Sequence, residues 1–255
     1  MKRIFSFIFL SLFSLALLAN PMKDSANYYV QQANEAYQLN NFAEAIDLYT
    51  QAIDLQFESA ILYYNLGNAY FKSGDNARAL LWLERANRLS PNNEDIIHNI
   101  NFVNQKLVDK IEQLPEFFIV KLWNRCSGLF TGNQWAMLSI ISCALFALCL
   151  LFILLIRISW VRSTAIVVAI IALLFTIFSI IFAKKESTHH IKHPKGIIMS
   201  HVVHVKSTPT ERSTDLFVIH LGLKVGITDR LNEWVEIRLP NGEKGWVLNN
   251  QVEEI

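Results

Sequence analysis

Several chemistries are missing from this chain of 255 residues. It has three cysteines, Cys126, Cys143 and Cys149, and the last two are six residues apart in one apolar segment, so they do not build a disulfide framework. The formal net charge is only +1 and no basic face is found, which argues against nucleic-acid binding. No nucleophile–base pair, paired carboxylates or metal-ligand spacing can be placed. We therefore predict a protein that is not an enzyme and needs no cofactor or metal.

What the sequence does contain is dominated by two long apolar segments, residues 136–156 and 164–183. Each has about 20 residues without a charged side chain, which as a helix is about 30 Å long and crosses the hydrocarbon core of a bilayer. Because only seven residues separate them, we predict a transmembrane hairpin with both flanking regions on one side. Neither span carries Asp, Glu, Lys, Arg or His, so the sequence offers no pathway for protons or ions.

The N-terminal residues, 1–19, have the pattern of a secretory signal peptide, with Lys2 and Arg3 followed by a short apolar stretch. An uncleaved signal anchor is the alternative, because the cleavage signal around Ala19 is weak. In both cases the chain after residue 20 is delivered outside the cytoplasm, and the hairpin returns the C-terminal part to the same side. Lys184 and Lys185, just after the second span, run against the positive-inside tendency. We follow the N-terminal signal because translocation starts there.

Residues 26–91 contain an internal repeat with a period of 34 residues. Matching residues at that spacing are Tyr29/Tyr63, Ala33/Gly67, Tyr37/Phe71, Ala45/Ala79, Ala52/Ala86 and Leu55/Leu89. The pattern resembles the tetratricopeptide repeat, a helix–turn–helix unit of this length, and the second copy fits it at nearly every signature position up to Pro91. Small residues are expected at 67, 79 and 86 because the paired helices approach closely there.

Residues 92–114 carry apolar side chains at helical spacing, including Ile96, Leu107 and Ile111, but lack the small residues of a third repeat. We predict a capping helix, so that a tetratricopeptide-repeat domain spans residues 26–114. Stacks of such repeats are elongated and bind partner segments on a concave surface. The N-terminal part is thus predicted to be an all-α solenoid that binds proteins.

By resemblance to other tetratricopeptide repeats, the first helix of each repeat should line the groove. The candidate partner-binding residues are Val30, Asn34, Tyr37, Gln38, Tyr64, Asn68, Phe71, Lys72, His98, Phe102 and Lys106. Among these, Asn68, Lys72 and Lys106 are candidates for holding a partner's carboxylate by charge-assisted hydrogen bonds. The alternative is that these asparagines belong to the repeat pattern whatever the groove binds.

Residues 115–135 approach the first span with several aromatic side chains, among them Trp123 and Trp135. Such side chains favour the headgroup level, because the ring is apolar while its N–H or O–H remains polar. We predict a segment that lies in the membrane interface. A helix that binds a partner protein would have the same pattern.

After the second span, residues 184–196 are predicted to be a polar linker, and its histidines, His189, His190 and His193, lack the further ligands that a metal site needs. Residues 197–255 then change to short alternating strands, with a strong hairpin signal at Asn241-Gly242. About 60 residues of such strands suit a small barrel.

Four motifs in this barrel follow a recognisable order: Val205-Lys206 before a polar loop, Gly222 before a strand, then Trp234, then Gly245-Trp246-Val247. This order resembles the bacterial SH3-like domain, a family that binds cell-wall peptides or partner proteins. The resemblance makes Trp234 and Trp246 candidates for a ligand groove. Packing in the barrel core is the alternative for both.

Taken together, the leader, two repeats, the segment 109–118, the hairpin and the motifs of the C-terminal barrel resemble the BatE family of the Bat (aerotolerance) operons. The resemblance covers nearly the whole chain. It implies an inner-membrane protein, in which the N-terminal signal and the hairpin predict that both soluble modules lie in the periplasm. It also implies partners, namely von Willebrand A-domain membrane proteins and, indirectly, a MoxR-type AAA+ ATPase. Roles in oxidative stress and envelope integrity have been proposed for the family.

The predicted fold class is therefore a multi-domain membrane protein with an all-α tetratricopeptide-repeat solenoid, a two-helix transmembrane hairpin and a small all-β SH3-like barrel. The predicted function is a non-enzymatic, membrane-anchored scaffold or adaptor that binds partner proteins through its repeats. The alternative is an envelope sensor whose barrel binds peptidoglycan or cell-wall peptides.

Overall fold

The computed structural model of the chain describes residues 21–91, 93–111, 117–155, 158–192 and 194–255. It contains a helical N-terminal region, two long apolar helices and a C-terminal antiparallel sheet, which is the predicted fold class. The predicted signal peptide or signal anchor, residues 1–19, lies outside the described residues, as does His193 of the predicted linker.

The repeats form two antiparallel helix pairs, α1 (Pro21–Gln38) with α2 (Phe42–Asp54) and α3 (Ala60–Ser73) with α4 (Asn76–Leu89). The second pair has well-defined helix ends. Ser59 and Asp75 cap α3 and α4 by accepting hydrogen bonds from backbone N–H groups of the first turns, and Gly74 ends α3 at φ +93°. The two side-chain caps and the glycine therefore determine where these helices begin and end.

The small residues of the second repeat do bring its helices close together. Gly67 is buried in α3, and a Cβ atom added there would lie 2.8 Å from Leu83 Cγ and 3.2 Å from the backbone oxygen of Ala79, both on α4. Ala79 and Ala86 are fully buried on the facing side of α4. Close packing of α3 on α4 therefore depends on the residues that the repeat pattern singled out.

The predicted capping helix is shorter than expected. Helix α5 (Glu94–Asn104) buries Ile96, Ile100 and Val103 against the repeats, but it ends ten residues before Leu114. The described residues after it turn toward the C-terminal barrel. Leu107 lies against Gly222, and Ile111 packs against the barrel core. The helical spacing of Leu107 and Ile111 misled the prediction because their apolar side chains are covered by a distant domain.

Three further helices follow: α6 (Phe118–Ser127), α7 (Gly132–Leu155) and α8 (Ser159–Lys192). Helices α7 and α8 pack against each other as a hairpin and are long and apolar enough to cross a membrane. Only 11% and 22% of their apolar windows are buried, which is unlike the core helix of a soluble protein. They are therefore candidate membrane spans.

The helix bounds differ from the predicted spans of 136–156 and 164–183. Helix α7 begins four residues earlier, at Gly132, and α8 begins at Ser159, so only residues 156–158 lie between them. Helix α8 also continues through Lys192, where we predicted a polar linker. Hydropathy marks the apolar window but not the helix ends, and the first helix-breaking residue after this span is Pro194.

The C-terminal domain is a seven-stranded antiparallel sheet in the order β3-β2-β6-β5-β4-β1-β7. Its strands are β1 (Lys195–Ile198), β2 (Val202–Lys206), β3 (Asp215–His220), β4 (Lys224–Leu231), β5 (Trp234–Arg238), β6 (Lys244–Leu248) and β7 (Val252–Glu254). The sheet curls around a buried core formed by Ile198, Val203, Val205, Ile219, Leu223, Val225, Ile227, Val235, Ile237, Leu239 and Val247. Strand β1 starts two residues before the predicted domain boundary at 197.

The predicted hairpin at Asn241-Gly242 is present between β5 and β6. Gly242 has a φ of +93°, and its N–H donates to the carbonyl of Leu239 at 2.9 Å. Asn241 accepts a hydrogen bond from the N–H of Glu243 at 3.1 Å. Glycine meets the positive φ that this turn requires without steric cost.

The barrel packs directly on the repeats. Ile197 of β1 is fully buried among side chains of the repeat core, and Lys224 of β4 forms an ion pair with Glu84 of α4 at 2.5 Å. Arg85 of α4 donates to the backbone oxygen of Glu254 at 2.7 Å, and Arg88 donates to that of Ile255 at 2.7 Å. The two soluble domains therefore share one packed interface, which lies on the α4 side of the repeat stack.

Candidate functional site

A polar groove of about 220 Å³ opens between the helices of the two repeats. Its lining comes from α1, α2 and α3 and consists of Asn34, Tyr37, Gln38, Tyr49, Asn65 and Asn68. The contacts of the barrel described above are with α4 and with the segment after α5. No described barrel residue lines the groove, so the packing of the two domains leaves it open.

An asparagine pair at this groove is repeated at the 34-residue period. The Asn65 side chain donates from Nδ2 to Asn34 Oδ1 at 3.1 Å, and the Asn99 side chain donates from Nδ2 to Asn68 Oδ1 at 2.7 Å. Asn34 and Asn68 occupy equivalent positions of successive repeats, as do Asn65 and Asn99. The same hydrogen bond therefore links equivalent positions in both places. Helix α5 takes the place of the first helix of a third repeat.

Tyrosine hydroxyl groups complete this polar network. The Tyr49 hydroxyl donates to Asn34 Oδ1 at 2.6 Å, and the Tyr64 hydroxyl accepts from Asn99 Nδ2 at 3.1 Å. Burial raises the pKa of the Tyr49 phenol to about 12, with a further contribution from the neighbouring Tyr37, while a hydrogen bond with Asn65 opposes the rise. Burial also raises the pKa of Tyr37. Both groups are neutral hydrogen-bonding groups at ordinary pH.

The network determines which atoms of Asn34 and Asn68 remain for a ligand. In both side chains the carbonyl oxygen already accepts from a neighbouring helix. An amide side chain has a further pair of N–H donors on Nδ2, and these have no partner among the described residues. Both residues line the groove. The groove thus presents amide donors that are held in place by hydrogen bonds inside the repeats.

Seven of the eleven predicted groove residues fall into two groups. Asn34, Tyr37, Gln38 and Asn68 line the cavity together. Val30, Tyr64 and Phe71 pack instead on the repeat core as partly buried side chains. All seven residues lie on α1 or α3, the helices that the resemblance indicated.

The other predicted residues lie toward the end of the repeat stack. The rings of Phe71 and Phe102 meet edge to face, with their centroids 5.4 Å apart, and Lys106 Nζ lies 5.7 Å from the centroid of Phe102. Lys72 and His98 are exposed. Lys106 lines a second cavity together with His201 and His220 of the barrel rather than the groove that contains Asn68. The structure does not bring Asn68, Lys72 and Lys106 together in one described cavity.

Sequence reasoning missed three residues of the network, namely Tyr49, Asn65 and Asn99. The asparagines had a usable signal, because they are 34 residues apart, like Asn34 and Asn68. Tyr49 had none, because it lies on the second helix of its repeat, which was not expected to reach the groove.

The two tryptophans of the barrel lie on its outer surface rather than in its core. Trp234 pairs with Leu248 across β5 and β6, and Glu236 pairs with Trp246, which places both rings on one face as diagonal neighbours. The residues between them, Val235 and Val247, point inward and are buried. Both tryptophans are half-buried, so part of each side chain reaches the surface.

Charged side chains accompany this aromatic face. Glu236 lies between the two tryptophans, and its pKa is lowered, chiefly by a hydrogen bond from Thr228 and also by Lys244, whose Nζ is 3.0 Å away. Lys206, which pairs with Trp246 across β2 and β6, forms an ion pair of 2.6 Å with Asp215. That contact is the main cause of a lowered pKa for the Asp215 carboxyl. The face therefore combines apolar rings with ionised groups.

Known proteins resemble this chain in separate parts. A tetratricopeptide repeat family matches residues 30–94, and a bacterial SH3 domain family matches residues 201–253. These matches agree with the helical repeats and with the antiparallel barrel. No curated protein matches the chain. Among the described residues, no group of three or more His, Cys, Asp or Glu side chains is placed to hold a metal ion.

Two solved structures are similar to the repeats. The Sgt2 tetratricopeptide domain from Aspergillus fumigatus is 25% identical, with a TM-score of 0.30, over 31% of this chain and 53% of that structure. The first tetratricopeptide domain of Spaghetti (RPAP3), bound to the HSP90 peptide SRMEEVD, is 19% identical, with a TM-score of 0.23, over 33% of this chain and 94% of that structure. This chain thus spans about half of the Sgt2 domain. Domains of both matched families are typically non-catalytic and bind other molecules.

Proposed function

We propose that this protein is a non-enzymatic, membrane-anchored adaptor that holds an extended segment of a partner protein in the groove of its repeats. The repeated asparagine pair carries the proposal, because it fixes the amide groups of Asn34 and Asn68 at equivalent positions of two successive repeats. An extended peptide has backbone carbonyl groups that a row of such donors can bind without regard to side chains. Specificity then comes from the side chains around the row.

Those surroundings favour a partner segment with a carboxylate. Lys72 is exposed in the last turn of α3, on the same helix as Asn68. A carboxylate that accepts from both an ammonium and an amide N–H is bound more strongly than a neutral acceptor. Lys106 can contact the same partner segment only if that segment extends from the groove across the rings of Phe71 and Phe102. We accordingly propose an acidic side chain or a C-terminal carboxylate near Asn68.

The hairpin serves as the anchor in this proposal. Helices α7 and α8 span the membrane, and because they are antiparallel, the repeats and the barrel lie on the same side. That side is the periplasm and the membrane is the inner membrane, as the N-terminal signal sequence and the resemblance to the BatE family suggest. Two weak binding sites on one anchored body gain affinity from their high effective concentration.

The partners that the resemblance suggests are von Willebrand A-domain membrane proteins, with an indirect link to a MoxR-type AAA+ ATPase. Together they would form an envelope complex linked to aerotolerance and stress. The test is purification of the tagged full-length chain from its native membrane in mild detergent, with the bound proteins identified by mass spectrometry. We expect von Willebrand A-domain proteins to be recovered.

The groove variants decide whether the repeats are responsible. Asn34→Ala with Asn68→Ala should reduce recovery at least tenfold, since two hydrogen bonds to a charged or backbone acceptor are lost. Asn101→Ala, an exposed asparagine of α5 outside the groove, is the matched control and should leave recovery unchanged. If the double variant and the Asn101→Ala control recover the same amount of partner protein, the proposal is contradicted.

A second candidate function rests on the barrel. The half-buried Trp234 and Trp246 rings on one outer face, together with the match to bacterial SH3 domains, favour binding of cell-wall peptides or glycans, as in an envelope sensor. Sedimentation of the full-length chain with purified peptidoglycan tests it. Trp234→Ala with Trp246→Ala should abolish sedimentation, whereas the asparagine variants should not. Sedimentation without recovery of partner proteins would favour the sensor over the adaptor.

A further inference from the structure

Between Glu116 and Glu186 the chain has charge of one sign only. From residue 117 to residue 185 the sequence contains no Asp or Glu but six basic residues: Lys121, Arg125, Arg157, Arg162, Lys184 and Lys185. Lys121 and Arg125 belong to α6, and Lys184 and Lys185 lie at the end of the apolar window of α8, on the side next to the soluble domains. Four cations therefore gather at one end of the hairpin.

Helix α6 is amphipathic. At about 100° per residue, Phe118, Leu122 and Ile119 fall on one arc, and Lys121 with Arg125 falls on another. The apolar arc is not covered by the described protein, since Phe118 is 77% and Ile119 79% exposed. An uncovered apolar face with basic side chains beside it is the pattern of a helix that lies in a membrane interface.

An aromatic cluster holds α6 at the end of the hairpin. The Phe182 ring of α8 lies 4.8 Å from the ring of Trp123 in α6 and 5.0 Å from the ring of Trp135 in α7, measured between centroids. Trp135 also donates from Nε1 to the backbone oxygen of Ser127 at 2.8 Å. Because Phe182 lies near the end of the apolar window Ser159–Lys185, the cluster sets α6 at the depth where the span ends.

Lys185 is fixed in the same place. Its ammonium group donates to Asn124 Oδ1 at 2.7 Å and to Ser127 Oγ at 2.8 Å, and it lies 6.0 Å from the centroid of Trp123. Asn124 and Ser127 are neutral acceptors, and their two hydrogen bonds orient the ammonium group at the end of the hairpin. A cation held at the end of a membrane span faces the phosphate groups of lipids.

We propose that α6, Lys184 and Lys185 form a collar that binds anionic phospholipid headgroups in the leaflet next to the soluble domains. The exposed arc of Phe118, Ile119 and Leu122 is inserted among the acyl chains, and the four cations bind the lipid phosphates. The occupant of the uncovered face is lipid because that face is continuous with the hairpin and carries the basic side chains of Lys121 and Arg125 beside it. This inference rests on the proposed membrane anchoring.

The test uses the full-length chain in detergent with equal amounts of phosphatidylglycerol and phosphatidylcholine, with bound lipids counted by native mass spectrometry. We expect phosphatidylglycerol to be retained preferentially. Lys121→Gln with Arg125→Gln should lower its apparent affinity at least tenfold, since each basic residue near an anionic surface contributes about 1 kcal/mol. Arg212→Gln with Arg238→Gln removes the same charge from exposed positions of the barrel and should change nothing.

Three results would overturn the collar: no preference for phosphatidylglycerol, equal loss in the two double variants, or displacement of the lipid by excess inorganic phosphate. Carbonate extraction of native membranes separates this inference from the anchoring on which it rests. A chain that resists extraction but shows no lipid preference contradicts the collar alone. A chain that is released contradicts both.

Discussion

The Glu84 carboxylate of the repeats and the Lys224 ammonium group of the barrel are 2.5 Å apart, although the whole hairpin separates them in the sequence. Glu84 is buried, with 6% of its surface exposed. A buried carboxylate requires a partner to offset its lost hydration, and Lys224 supplies one from another domain. This pair, with the burial of Ile197, makes the two soluble domains one packed body.

Loss of Lys224 should destabilise this body more than loss of Glu84. Lys224→Met leaves a buried, uncompensated carboxylate, so we expect the free energy of unfolding to fall by about 3 kcal/mol. Glu84→Gln leaves an ammonium group that is one third exposed and still reaches water, and should cost about 1 kcal/mol. Thermal unfolding of the full-length chain in detergent measures both. Lys244→Met, which breaks the more exposed pair with Glu236, is the control, and an equal effect of the two lysine variants would refute the prediction.

The asparagine network predicts a stability difference within α5. Asn99→Ala removes the donor to Asn68 Oδ1 and to the Tyr64 hydroxyl, and should lower the free energy of unfolding by about 1–2 kcal/mol. Asn101→Ala changes an exposed side chain two residues away and should have an effect below about 0.5 kcal/mol. Melting curves of the two variants in the same detergent give the comparison. Indistinguishable curves would mean that the network does not stabilise the repeats.

Alkaline pH should weaken the repeats through Tyr49. The phenol has a pKa near 10 in the unfolded chain and about 12 in the folded one. Its contribution to stability is therefore fully present below pH about 10 and is lost as the pH rises toward 12. Tyr49→Phe should make the free energy of unfolding fall less steeply over that range. Part of the pH dependence should remain, because burial also raises the pKa of Tyr63 to about 12.

The matched control for this pH dependence is Tyr28→Phe, because Tyr28 is exposed. Denaturant titrations at several pH values from about 9 to about 12 measure the slope. If Tyr28→Phe and Tyr49→Phe change the slope equally, the burial of Tyr49 is not the cause.

The contact between Leu107 and Gly222 makes a further prediction about the joined domains. Both Gly222→Ala and Gly74→Ala place a side chain at a positive φ, of +89° and +93°, which costs about 1 kcal/mol or more. At Gly222 the new Cβ would also lie 2.5 Å from Leu107 Cδ2, whereas at Gly74 nothing lies within 4 Å. Gly222→Ala should therefore lower the melting temperature more and open residues 105–111 to protease. Equal effects would show that the contact contributes nothing.

The candidate site was predictable where it depends on the repeat pattern. The period of 34 residues pointed to tetratricopeptide repeats, and the resemblance to that family made α1 and α3 the groove helices, with Asn34, Tyr37, Gln38 and Asn68 among their residues. The same resemblance included Lys106, which in the structure lines a different cavity, beside the barrel, because the chain after α5 turns that way. The periodicity of a sequence describes one helix at a time, and it cannot show where that helix ends against another domain.

The sequence by itself determined the features that arise from local patterns: the two repeats, the apolar hairpin, and the strands and Asn241-Gly242 turn of the barrel. Each of these depends on the spacing of apolar, small or turn-forming residues within one element, which the chain displays directly. Only the tertiary structure decided that Glu84 meets Lys224, that Asn65 and Asn99 orient the groove amides, and that α6 is clamped at the end of the hairpin. These contacts join distant residues whose partners leave no periodic signal, so the packing of whole elements had to bring them together.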